Sequence, residues 1–178
     1  IDYLNKAACL GQANALEKLI NLSKNHAEAI FCLANIYRKC HNTRHAIDYY
    51  LKAKQQSYPE ATPAISELTT ELITKLNDNS PHAYDDLLHI ARHDLQTAQE
   101  LAHIFEAGES VKKNISTALR CLACAAYQGS QSAKNRVKIL AKQGNQKAKL
   151  ALAEEYYQRK NKTGKTINLL LEIAYQYE

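Results

Sequence analysis

The stretch LAHIFEAGESVKKNISTALRCLACAAYQGSQSA, Leu101 to Ala133, decides the fold. Apolar residues at Leu101, Ala102, Ile104 and Phe105 recur at helical spacing, break at Gly108, and resume at Ala118, Leu119, Leu122, Ala125 and Ala126. Two short amphipathic helices must fold back on each other here. Alanines fall where the two backbones approach, so the unit is a helical hairpin that cannot bury its apolar surface alone and needs neighbours.

The flanking sequence supplies them. KAACLGQANA at Lys6 to Ala15 parallels CAAYQGSQSA at Cys124 to Ala133: two alanines, a two-residue gap, a glycine, then an alanine four residues on. Gly11 and Gly129 suit the left-handed turn that closes a helix. From Ala27 to Pro59, Leu33, Ala34 and Tyr37 share one face of a first helix, and Ala46, Tyr50 and Ala53 one face of a second. Pro59 ends or restarts the helix. Ile65, Leu68, Leu72, Ile73 and Leu76 mark a further helix that tolerates Pro63 in its first turn, and Ser80 and Asp94 stand at cap positions. Beyond Gly129, the pattern predicts a short helix from Ala133 to Lys142, a turn at Gly144, a helix from Gln146 to Arg159, and a partner for it over Gly164 to Tyr177. The expected fold class is all-α, an α-solenoid of stacked antiparallel helix pairs occupying residues 1–178 as one segment. The pairs fall near 1–24, 27–58, 60–93, 95–129 and 145–178, with a short helix at 131–143.

Leu33, Ala34, Tyr37, Ala46, Tyr50, Ala53 and the terminal Pro59 resemble, in order and nearly in spacing, the tetratricopeptide repeat. Leu101 to Ala133 has a longer inter-helix loop, with Gly108, Val111, Ala118 and an AAYQG ending, and resembles the Sel-one-like subclass of the same superfamily. Leu33, Leu101 and Leu152 take equivalent places in first helices, and the first two lie 68 positions apart, twice the tetratricopeptide period. The segment opens on half a hairpin and ends in an apolar helix without a polar cap. The expectation is either a longer solenoid or ends that dock on another chain.

Composition sets bounds. Glycine and proline number 5 and 3, which favours helix throughout. No apolar run reaches membrane-spanning length and no leader pattern is visible, so no membrane span is expected. The net charge is +5, with the basic residues concentrated in the C-terminal third. They lack the interleaved aromatic residues of a nucleic-acid surface, so they are read as a solvated face and no nucleic acid is expected. Five cysteines show no disulfide spacing, which favours a reducing cytoplasm; a leader lost from this segment would shift the expectation to periplasm or secretion.

Three features invite a chemical reading and each has a plainer one. His89 and His93 stand four apart on one helix, near His82 and His103, but two histidines supply too few ligands for a metal and are read as structural or solvated. Cys121 and Cys124 form a C-x-x-C inside a helix, where small residues pack, and are read as core. Of the pairs Tyr49-Tyr50 and Tyr156-Tyr157, core packing and ridge contacts explain one member of each; the other is read as packed as well, with an exposed contact residue on a concave surface as the alternative. No phosphate loop or nucleophile elbow appears, and no catalytic residue, cofactor or metal is expected.

The resemblance implies more. In tetratricopeptide-like arrays the first helices line an inner groove that binds partners. The implied contact positions are Glu28, Phe31, Asn35 and Arg38, then Gln96, Gln99, His103 and Glu106, then Lys147, Leu150, Glu154 and Tyr157. Phe31 stands where the carboxylate clamp of some family members carries a cation, so recognition of chain termini is not implied. Proteins with Sel-one-like repeats serve mostly as adaptors, including bacterial envelope, regulatory and host-directed factors. The resemblance therefore implies a non-enzymatic protein-protein scaffold. A second reading is the positioning arm of a larger enzyme acting on cell-wall polymer. A third is a polyanion surface in the basic third, whose affinity would collapse with salt.

Overall fold

The computed structural model describes residues 1–158 and is all-helical there, with no strand among the described residues. Ten helices follow one another: α1 (Asp2–Cys9), α2 (Ala13–Leu22), α3 (Ala27–Lys39), α4 (Thr43–Gln55), α5 (Ala61–Asn77), α6 (Ala83–His93), α7 (Leu95–Ala107), α8 (Ile115–Tyr127), α9 (Gln131–Lys142) and α10 (Gln146–Gln158). The helix expected over Gly164 to Tyr177 lies outside the described residues. The chain divides into two compact units, the first ending at Leu87 and the second starting at Leu88, within α6.

In the first unit, α3 and α4 form the tightest hairpin, α2 packs on α3, and α5 packs on α4. Leu19, Ala29, Cys32, Leu33 and Ile36 make one cluster, with Leu4, Leu16, Leu22, Tyr37 and Tyr49 half-buried against it. A second cluster gathers Ile30, Ala53 and Ala61, flanked by Phe31 and Tyr58. Leu33, Ala34, Ala46, Tyr50 and Ala53 are all buried. The alanines let the helix axes approach, and Tyr50 fills the space between them.

In the second unit α7 pairs with α8, and α8 also packs on α9 and α10. A helix enclosed on several sides has to be apolar nearly all round. α8 meets that demand: Thr117, Ala118, Leu119 and every residue from Cys121 to Ala125 are buried. Cys121 and Cys124 therefore sit in the core as small apolar groups.

The helix ends are punctuated repeatedly by the same device. After α1, α3, α4, α5, α8 and α9 a residue with positive φ stands one place past the cap, and the next N–H returns to a carbonyl five residues back, as in Asn42 N to Tyr37 O and Ser130 N to Ala125 O. Glycine takes that place after α1, α8 and α9, while His41, Ser57 and Asn79 take it after α3, α4 and α5. The next helix then starts on a side-chain cap at several of these turns: Asn42 accepts from His45 N, Ser130 Oγ from Ala133 N, and Asn145 Oδ1 from Ala148 N. At Asp94 the carboxylate accepts from both the Thr97 N–H and the Thr97 hydroxyl, at 3.0 and 2.7 Å.

Candidate functional site

The first-helix rows implied by the family resemblance occupy regular 3-4-3 spacing, which puts each row on one helix face. On α3 the row is Glu28, Phe31, Asn35 and Arg38. Phe31 lies between two tyrosines, with ring centres 5.5 Å from Tyr50 and 4.9 Å from Tyr58. Asn35 Oδ1 accepts the Tyr50 hydroxyl at 2.6 Å. Arg38 donates to Glu67 Oε2 at 3.1 Å and to Glu71 Oε1, both on α5. Three of the four residues are thus engaged inside the chain, and Glu28 stays exposed.

The electrostatics follow from these contacts. The hydrogen bond from Arg38 is the main cause that holds Glu67 below the ordinary carboxylate range, and the bond to Glu67 raises Arg38 in turn. Burial pushes the Tyr50 hydroxyl up, against the opposing pull of Arg38. Tyr49 is raised by burial and then by Tyr37, on which its ring stacks at 5.3 Å.

On α7 the row is Gln96, Gln99, His103 and Glu106. Gln96 donates to Glu100 on its own helix at 2.9 Å. Gln99 donates to Ser130 Oγ at 3.1 Å, reaching the cap of α9. Arg136 on α9 donates to Glu106. His103 is exposed and lines a cleft of about 260 Å³ with Gln99, Glu106, Leu122, Ser132 and Arg136. On α10, Lys147 and Leu150 are exposed, while Glu154 and Tyr157 lie on the same helix with their side chains outside the described set. Hydrogen-bonding groups at fixed positions are what the two described rows present.

Sequence reading did not single out Tyr58, Glu67, Glu71, Ser130 or Arg136. The available signal was charge complementarity about one hairpin apart: Arg38 lies 29 and 33 positions from its two glutamates, and Glu106 lies 30 from Arg136. His89 and His93 meet edge to face at 5.0 Å on α6. Among the described residues no three His, Cys, Asp or Glu side chains are placed to hold a metal ion. A larger cleft, about 550 Å³, opens beside α1 and α2 and is lined by Tyr3, Leu4, Ala7, Leu10, Ala15 and Lys18, away from these rows. No described helix is long and apolar enough to cross a membrane.

Comparison with known proteins finds no family model, no curated protein and no solved structure that matches this chain.

Proposed function

We propose that this chain is a non-enzymatic scaffold, a tetratricopeptide-like α-solenoid of the Sel-one-like kind, that binds a partner protein along its first-helix faces. One observation carries the reading. Arg38 and Glu106 stand at equivalent repeat positions, 68 residues apart, and each is ion-paired to the helix two places further on, α5 in one unit and α9 in the other. Each tie fixes the outward end of a first helix to the helix two places on, which a binding face needs and a core does not. Glu28, Gln96, Gln99, His103, Lys147 and Leu150 are the exposed members of the rows and are then the contact residues, with Asn35, Arg38 and Glu106 fixing the surface around them.

The test is cross-linking capture from the source cells with the wild type and with a variant carrying Glu28→Arg, His103→Ala, Lys147→Glu and Leu150→Ala. These side chains are exposed, so the two proteins should melt within a few degrees of each other. A partner held by the wild type and lost by the variant supports the scaffold face; identical partner sets sink it.

A further inference from the structure

Residues 110–153 contain no aspartate or glutamate but carry nine of the 23 lysines and arginines. The rest of the chain holds all 18 carboxylates among fourteen basic residues, the mixed surface that ordinary solubility calls for. A run of this length without one carboxylate concentrates positive potential on α9 and on the part of α10 up to Ala153. Arg136 is partly neutralised by Glu106 from α7. Lys134, Lys138 and Lys142 are exposed on α9, and among the described residues no ion pair ties them to a carboxylate. They stand at i, i+4 and i+8, one row on one helix face, about 6 Å apart along the axis.

That spacing selects a ligand. In an extended peptide, side chains on one face recur every second residue, roughly 6.7 Å apart, so three alternate carboxylates span about 13 Å against about 12 Å for the three lysines, a difference the flexible lysine stems take up. Single-stranded nucleic acid would call for stacking surfaces as well, and residues 110–153 hold only one aromatic side chain, Tyr127. An anionic membrane would call for an apolar face beside the lysines. The apolar side of α9 is instead turned inward through Ala133 and Val137, leaving Ile139, 55% exposed, as an isolated contact. We propose that the Lys134, Lys138 and Lys142 row of α9 docks an extended acidic segment of a partner protein, with its carboxylates at alternate positions. This goes beyond the first-helix reading and does not depend on it, because the row on α9 is distinct from the contact residues named there.

The test uses the full chain and fluorescence anisotropy with a labelled (Glu-Ser)6 peptide. A (Gln-Ser)6 peptide, a twelve-nucleotide oligothymidylate and phosphatidylserine vesicles serve as competing ligands. The acidic peptide should bind and the glutamine peptide should not. K134E/K138E/K142E should weaken binding at least tenfold. A control with the same change in net charge, K24E/K52E/K75E, should lose less than threefold. If the reversed triple melts early, the triple Lys→Gln variant replaces it, with an expected loss of about fivefold. The proposal is overturned if the acidic peptide does not bind, if both triples weaken it equally, or if the oligonucleotide or the vesicles bind more tightly than the peptide.

Discussion

The Tyr50 hydroxyl donates to Asn35 Oδ1 at 2.6 Å, tying α4 to α3 at the edge of the first unit's core. The Tyr50 ring is fully buried, so the bond lets a large side chain enter the core without stranding its polar end. Tyr50→Phe keeps the ring and removes the donor, and should cost about 1 kcal/mol in urea unfolding. It should also change the alkaline limb of the stability curve. Burial raises the hydroxyls of Tyr50 and Tyr49, so the fold favours their neutral forms. That stability is complete below the unfolded tyrosine value of about 10 and is lost as pH rises through the higher folded values. Unfolding midpoints measured from pH 8 to 11.5 should fall at the alkaline end, and less steeply in Tyr50→Phe. Equal slopes would mean that Tyr50 does not titrate as described.

Glu106 and Arg136 give a cleaner electrostatic test, because both are only partly exposed and each sits on a different helix. Glu106→Arg should destabilise by bringing like charges together, and Glu106→Arg with Arg136→Glu should recover most of the loss. The expected coupling in a double-mutant cycle is about 0.5 kcal/mol, the scale of a surface pair. In 1 M salt the coupling should shrink, since screening acts within about 3 Å. A reversed double variant no better than the single would show that the two charges do not stabilise one another.

Why these ties escaped the sequence while the helices did not is a matter of range. Helices are written locally: Leu101, Ala102 and Phe105 repeat at helical spacing and Gly108, at φ +77°, stops them, all within eight residues. The small-residue positions Ala34, Ala46, Ala53 and Ala118 were legible for the same reason, and all four are buried. Arg38 and Glu106 read as exposed contact residues because a row spacing shows which way a side chain leaves its helix, not what meets it there. Their partners lie a hairpin away, and that distance in sequence becomes contact only after two helices have packed. Tyr50 was legible as a core residue, but its bond to Asn35 was not, because tyrosine and asparagine carry no pairing signature. The turn at Asn77 to Pro81 was legible from its asparagines, serine and proline, but the left-handed turns at His41 and Ser57 were missed. A helix closed by glycine announces itself, whereas the same turn built on another residue looks like helix continuing into loop.

Those turns predict a gain. Ser57 holds φ +59° one place past the cap of α4, a conformation that costs a residue with a side chain roughly 1–2 kcal/mol. Ser57→Gly removes that strain but adds freedom to the unfolded chain, so the net stabilisation should be about 0.5 kcal/mol. Gly108→Ala should go the other way. Its backbone has φ +77°, and an added Cβ would lie 2.8 Å from Lys113 Cβ, so the loop leading into α8 must shift. Thermal melts of the two variants should therefore move in opposite directions from the wild type. A Gly108→Ala protein as stable as the wild type would show that this loop yields freely.

The cysteines separate core from surface by their rates. Cys40 is exposed just past α3, whereas Cys32, Cys121 and Cys124 are buried and present as thiols, not disulfides. Reaction requires the thiolate and the reagent to meet, so burial suppresses it whatever the spacing of the pair in sequence. With a disulfide reagent in native buffer, peptide mapping should find Cys40 labelled within seconds, well ahead of Cys32, Cys121 and Cys124. Cys121 and Cys124 lie on α8, which is enclosed by α7, α9 and α10, so they should react together and only at the rate at which the second unit opens. Their rate should rise with urea in step with the loss of helical signal. Cys121→Ala should keep the core closed at a modest cost, while Cys121→Arg should abolish the folded state of that unit because an unpaired charge would be buried. Fast labelling of Cys124 in the native wild type would instead mean that α8 is accessible, and that the C-x-x-C is available for chemistry rather than packing.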